Sequence, residues 1–246
     1  MKVSILIVGG STGIGRSIAE HFGSLGADVY INYHSNDESA QECVAAVEAA
    51  GGRAQALKAD AGTTEGARQL ASWMAQRVER VDQVVYCAVK ALVGPLLEID
   101  PDELRECLEV NPLGMINVLR EMLPMLGTGS TVFYVSSQGA LSVLPNYGPL
   151  GIGKALGEHI VRYLAPELAE HGVRILTVSP GSVDTPALRQ VFPDTYEKHL
   201  EAAAARNLAG RALLGSDVGK VIELLSQPGF DMTFAERIRV DGGVNR

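Results

Sequence analysis

Short apolar, β-branched runs alternate along this chain with longer segments in which apolar residues recur at helical spacing. The runs Val3–Val8, Asp28–Tyr33, Arg53–Lys58, Gln83–Cys87, Thr131–Val135, Val173–Val178 and Arg237–Val240 predict seven strands. Between them the period predicts helices near Gly13–Leu25, Glu38–Ala50, Thr64–Val78, Pro101–Met125 (with Pro112 inside) and Pro149–Glu170. Strands that alternate with helices pair in parallel through right-handed crossovers, which lays helices on both faces of the sheet. The strand runs are almost continuously apolar rather than alternating, as expected for strands covered on both sides. The expected class is α/β, one doubly wound domain over residues 1–246 with a seven-stranded parallel sheet.

No linker of Pro/Gly/Ser character and no internal repeat divides the chain. One segment breaks the rhythm, about residues 181–211, with Pro186, Pro193 and a polar helix expected around Thr195–Arg206. An insertion after a strand's carboxyl end can lie over the ligand crevice of such a sheet, so this segment is expected to be a substrate lid. A decorative surface excursion is the alternative.

Composition narrows the classes of partner. At 246 residues, with 46% hydrophobic and 20% charged, the chain can bury one sizeable core. Its net charge of −8 and the lack of any Lys/Arg cluster argue against nucleic acid. A bound anion would have to be held locally by backbone dipoles and a few cations. Cys43, Cys87 and Cys107 are odd in number and form no C-x-x-C pair, and the five histidines lack ligand spacing. No metal is expected, and a reduced, intracellular protein is. The amino terminus runs directly into "KVSILIVGG", too short for a signal peptide, and no apolar run reaches membrane-spanning length. The expected location is cytoplasmic.

The first candidate chemistry is the turn "VGGSTGIGRSIAEHF", which ends the first strand and opens the first helix. Gly9, Gly13 and Gly15 give G-x-x-x-G-x-G, wider than the common dinucleotide fingerprint but with the same physics. Glycines allow a tight turn and close backbone approach to a pyrophosphate, while helix-terminal N–H groups face the anion. Asp60 in "LKADAG" stands just past the third strand, where a carboxylate can accept from an adenine amino group; a turn-starting Asp is the plain alternative. The end of the second strand reads "INYHSND", with Tyr33, His34 and Ser35 and no acid before Asp37. A carboxylate there would bind the 2′-hydroxyl of NAD and repel a 2′-phosphate, so this neutral stretch points to NADPH, with NADH left open.

Taken in order, the "GGSTGIG" turn, Asp60, Asn111 in "VNPLG", "VSS" at 135–137, "SPGSVDT" at 179–185 and "VDGG" at 240–243 carry a resemblance. The chain resembles the short-chain dehydrogenase/reductase superfamily over its whole length. That resemblance implies a Rossmann-type fold. It implies cofactor contacts from Gly9, Ser11, Thr12, Gly13, Ile14 and Gly15 in the first turn. Further contacts are implied at Tyr33, His34, Ser35, Asp60 and Ala61, at Cys87 and Ala88 after the fourth strand, and at Pro180, Gly181, Val183 and Thr185 after the sixth. It also implies a homotetramer, or a dimer, built through the helices near 101–126 and 149–170.

Two departures matter. Cys87-Ala88-Val89 stands where the superfamily usually has Asn-Ala-Gly. The usual tyrosine four residues before the lysine is replaced as well, because counting back from Lys154 lands on Leu150. Tyr147 lies seven residues before Lys154 in "NYGPLGIGKAL", close to two helical turns, with Pro149 in a place suited to a helix's first turn. That spacing is similar to the enoyl-thioester reductase branch, whose motif is Tyr, six residues, Lys.

The chemistry suits the displacement. Carbonyl reduction puts the hydride on the carbon whose oxygen is protonated. Reduction of an α,β-unsaturated thioester puts it on the β-carbon, while charge develops on a more distant oxygen. The resemblance then implies Tyr147 as donor to that oxygen and Lys154 as holder of the nicotinamide ribose and electrostatic support. A donor aimed at charge that appears only in the transition state contributes roughly 3–4 kcal/mol. Ser137 aligns with the superfamily's catalytic serine, and Asn111 with its helix-kink asparagine, structural or proton-relaying. The expected activity is NAD(P)H-dependent reduction of an enoyl thioester carried by an acyl carrier protein or coenzyme A. A carbonyl reductase that uses Tyr147, and a dinucleotide-binding sensor that lost catalysis with Leu150, are the competing readings. Lys198, Arg206 and Arg211 near the lid are candidates to meet an acidic carrier.

Overall fold

The computed structural model describes residues 2–245. Seven parallel strands form one sheet in the order β3-β2-β1-β4-β5-β6-β7. They are β1 (Ser4–Val8), β2 (Asp28–Tyr33), β3 (Arg53–Lys58), β4 (Gln83–Tyr86), β5 (Thr131–Val135), β6 (Arg174–Pro180) and β7 (Arg237–Val240). The chain thus makes the Rossmann-type α/β fold that its alternating pattern predicts. The strand order reverses between β1 and β4, and the loops at their carboxyl ends diverge to leave a crevice.

Strands β1, β4, β5 and β6 are buried along their whole length, as continuous apolar runs require. The two edges differ. β3, "RAQALK", is largely exposed, and β7, "RIRV", is only half-buried, because nothing pairs with their outer sides.

Within the buried strands, side chains still alternate between faces. Leu6, Val8, Tyr86, Val132 and Tyr134 point to one core. That core is covered by α3 (Thr64–Ala75), α5 (Gly114–Met122) and α6 (Gly148–Ala169). Ile5, Ile7, Val85, Phe133 and Val135 point to the other. There α1 (Gly13–Ser24), α2 (Asp37–Ala49) and α9 (Gly215–Leu225) close the face.

Three elements depart from expectation. Helix α9 is absent from the predicted set, yet its Val218 and Ile222 are fully buried in the second core, where the helix packs on β6 and β7. The segment expected as one helix over Pro101–Met125 is broken. It runs as α4 (Pro101–Leu108), a π turn (Glu109–Leu113), α5 and a 3₁₀ turn (Leu123–Met125). Pro112 sits inside the π turn; it has no N–H to give, and the wider turn absorbs the missing bond. Beyond β6 the chain forms a short α7 (Pro186–Val191) before α8 (Tyr196–Arg206). Among the described residues, no helix is long and apolar enough to cross a membrane.

Candidate active site

A cleft of about 940 Å³ opens at the carboxyl ends of β1 and β4 and runs beneath the segment that follows β6. The glycine turn forms its floor. Gly9 has φ +76°, and a Cβ there would stand 2.7 Å from the Ala88 backbone, so only glycine lets β1 and β4 end this close together. At Gly15 a Cβ would collide with the Gly9 carbonyl, which seats α1 directly on the turn.

The first i→i−4 bond of α1 runs from Arg16 N to Thr12 O. The N–H groups of Gly13, Ile14 and Gly15 therefore have no partner among the described residues, and all three line the cleft. The Thr12 hydroxyl does not cap them. The turn offers what a pyrophosphate needs, unpaired donors at a helix N-terminus and no side chain in the way.

At the far end the cleft meets Tyr33, His34 and Ser35. The nearest carboxylate, Asp37, is not in its lining; it accepts from Tyr33 Oη at 3.0 Å and pairs with Lys58 at 3.1 Å. Lys58, a cation at the end of β3, went unmarked in the sequence because nothing ties a third-strand lysine to the second strand's loop until the sheet is built. Asp60 lines the cleft while one of its oxygens accepts from Gly62 N at 3.0 Å in a tight turn.

The opposite end holds the titratable groups. Tyr147 stands at the N-cap position of α6 without a side-chain capping bond, and Pro149 occupies the helix's first turn. The Tyr147 ring lies against Gly139 and Gly151, and a Cβ on Gly139 would collide with it. Its hydroxyl donates to Ser137 Oγ at 3.2 Å. Burial pushes the Tyr147 phenol above its ordinary value, and the Ser137 contact partly offsets this.

Lys154, two turns further along α6, is buried, and its Nζ donates to the Val135 carbonyl at 2.7 Å. The ammonium also stands 5.2 Å from the centre of the Tyr134 ring. Burial lowers its pKa to about 8. Leu150, in the place four before the lysine, is 2% exposed and contributes an aliphatic surface to the same cleft.

Every position named from the sequence as cofactor-contacting lines this one cleft, together with Ser137 and Tyr147. Asn111 does not. It is fully buried in the π turn, where its Oδ1 accepts from Lys90 N at 2.6 Å and its Nδ2 donates to Lys90 O at 3.2 Å. The side chain is engaged in fixing the segment after β4. Thr185 lines the cleft with its oxygen already accepting from Leu188 N at 3.1 Å, as the cap of α7. Burial pushes the Cys87 thiol up to about 12, so it faces the cleft as a neutral group.

The segment after β6 supplies a wall. His199 of α8 contacts Ser182 Oγ at 2.8 Å and stacks on Phe192 with ring centres 4.5 Å apart; all three line the cleft. Arg206 donates to the Val244 carbonyl and Arg211 pairs with Asp217, so two of the three cations considered for a carrier are engaged within the chain.

The chain matches the family model described as enoyl-(acyl carrier protein) reductase over residues 8–245. It is 30% identical to 1-cyclohexenylcarbonyl-CoA reductase of Streptomyces collinus, over 98% of this chain and 86% of that protein. It is 31% identical to an L-rhamnose 1-dehydrogenase (NAD(P)(+)) of a Sphingomonas strain, over 98% of this chain and 95% of that one. Among solved structures, a short-chain dehydrogenase from Burkholderia cenocepacia J2315 in complex with NADP superposes with a TM-score of 0.88. Their identity is 27%, covering 99% and 98% of the two chains.

Proposed function

The chain belongs to the short-chain dehydrogenase/reductase superfamily and is an oxidoreductase, and on that premise we propose that it reduces the C=C bond of an α,β-unsaturated acyl thioester with NADPH. One observation carries this reading. The only tyrosine hydroxyl among the described cleft residues at the Lys154 end is that of Tyr147, while the position four before the lysine is the aliphatic Leu150. A donor set back toward the helix entrance suits an oxygen three bonds from the carbon that accepts the hydride, where a carbonyl substrate has it one bond away. The similarity to an enoyl-type CoA reductase supports the same substrate class.

When bound, NADPH supplies the hydride. The unpaired N–H groups at the start of α1 would hold its pyrophosphate, and His34 and Ser35 its 2′-phosphate. Support for NADPH comes from the lack of a carboxylate in the lining at the end of β2 and from the NADP bound by the Burkholderia protein. Tyr147 Oη donates to the thioester oxygen as negative charge gathers there. The Lys154 ammonium, in the same end of the cleft, supplies positive charge toward it, with donors to spare for ribose hydroxyls. Leu150 and Leu144 shield the olefin from water.

The test is oxidation of NADPH in the presence of a crotonyl-type thioester and, separately, of the matching 3-ketothioester. A higher kcat/KM on the crotonyl substrate is expected. The reverse preference would overturn the reading. It would favour carbonyl reduction, for which the Tyr147–Ser137 hydrogen bond and the sugar dehydrogenase relative are the supporting observations.

A further inference from the structure

At the carboxyl end of β5 three consecutive residues are each held by a charged side chain. Lys154 Nζ donates to Val135 O at 2.7 Å, Ser136 Oγ donates to Glu158 Oε1 at 2.5 Å, and Arg237 Nη2 donates to Ser137 O at 3.3 Å. Arg237 reaches the same Glu158 oxygen through Nε at 2.9 Å and Ser179 Oγ through Nη2 at 2.7 Å. Lys154 and Glu158 are four residues apart on α6, so one helical face meets the strand end twice. The Glu158 and Arg237 side chains are only 5% and 15% exposed.

Stability does not account for such a pair. Desolvating two charges costs about what their attraction returns, and apolar side chains of similar volume do as well or better. What the pair supplies is geometry. The β5–β6 ladder ends at Val135 and Val178, with one further bond from Ser136 N to Val178 O. Beyond that point the Ser137 carbonyl has no neighbouring strand; Arg237 and the turn donor Ala140 N hold it instead. Ser137 in turn accepts the hydrogen bond from Tyr147.

We infer that Glu158 and Arg237 form a buried clamp whose role is to position Ser137, and through it the Tyr147 hydroxyl, together with Lys154. Neither touches a reacting atom; both are positioning residues. The inference rests on the proposed function only in taking Tyr147 as the hydrogen-bond donor.

The clamp also sets charge. The groups acting on Lys154 are Cys87 after β4, Cys107 on α4, Tyr134 on β5 and Glu158 on α6 itself. Burial raises the pKa of both thiols and of the Tyr134 phenol, which keeps them neutral. Glu158 is the one carboxylate in that set, and it favours the protonated lysine.

Two variants test the clamp, Glu158→Gln and the double replacement Glu158→Met/Arg237→Met. The double variant is expected to lose about 10- to 100-fold in kcat; its melting temperature should fall modestly at most, since losing the desolvated pair offsets the partners lost by the Ser136 and Ser179 hydroxyls. Its KM values should stay within about twofold, because binding groups are untouched. In a crystal of the same variant without ligands, the Ser137–Tyr147 oxygen distance should exceed the 3.2 Å seen here. Glu158→Gln keeps the shape and the acceptor and should move the alkaline limb of kcat to lower pH; it decides the matter if the double variant does not fold. Wild-type kcat in the double variant, or an unmoved limb in Glu158→Gln, would overturn the clamp. Rates are read with whichever thioester, enoyl or 3-keto, the wild type reduces faster. Failure of the C=C reading therefore leaves this test intact, and the crystal distance needs no substrate.

Discussion

A phenol that is to donate at neutral pH has to keep its proton, and burial of Tyr147 does this by raising its pKa. Tyr147→Phe removes the donor and little else. It is expected to lower kcat by about 100- to 1,000-fold, the range for losing one such donor, with NADPH affinity by fluorescence titration unchanged. On the proposed function Lys154→Met should damage both, because the ammonium is assigned to cofactor and charge alike. Lys154 also predicts a pH signature. Its folded pKa lies near 8, below that of a free lysine. Above pH 8 the unfolded chain therefore binds more protons at this residue than the folded one, and stability at this site rises with pH. The cost of burying the ammonium is present below pH 8 and is relieved above it. Activity runs the other way, since it needs the charge, so kcat should fall as pH rises through about 8. Denaturant melts of wild type and Lys154→Met from pH 7 to about 10 isolate this residue. A wild-type stability that does not gain on the variant over that window would contradict the assignment.

Among the elements, the glycines flanking Tyr147 do as much for the site as the helix that carries it. Gly139 lies in a 3₁₀ turn after β5 and Gly151 in the first turns of α6, and the ring rests between them. Gly139→Ala would drive a methyl into that ring and swing the hydroxyl off Ser137. A loss in kcat of about 100-fold is expected, with cofactor affinity and melting temperature little changed. Steady-state kinetics beside a melting curve checks this. Nothing in "SSQGA" flags that glycine, because a glycine after a strand reads equally as any turn. Tyr147, Lys154 and the first-turn glycines were legible because their spacing along one helix or one turn is local. Glu158 and Arg237 were not, since their meeting depends on α6 packing over β5 and β6 with β7 paired just beyond β6. Helix α9 escaped for another reason. Gly215 and Gly219 dilute the apolar stripe of Val218, Ile222 and Leu225, and the cap comes from Asp217 bonding Leu214 N rather than from a residue before the helix. Pro112 announced a disturbance in its helix, but a proline does not say whether the chain will kink or widen into a π turn.

For the whole molecule, the alternation of strands and helices predicts one parallel sheet covered on both faces, but it does not set the strand order, so the crevice at the β1/β4 reversal is visible only in the folded sheet. Which nucleotide enters it depends on one loop at the sheet's far side. A ligand that binds only the folded chain stabilises all of it, by about 2.7 kcal/mol at 100 times Kd. For a domain of this length that corresponds to a rise in melting temperature of about 5–10 °C. NADPH should produce such a rise and NADH a smaller one at equal concentration, because His34 and Ser35 leave room for a phosphate where no carboxylate lines the cleft. His34→Asp places a charge there that repels the 2′-phosphate and accepts from a 2′-hydroxyl. The variant should lose most of the NADPH-induced rise while keeping or enlarging that with NADH. Because this is a melting measurement, it reads the nucleotide site without any substrate. Equal shifts with both nucleotides in the wild type would remove the basis for NADPH while leaving the Tyr147–Lys154 end of the cleft untouched.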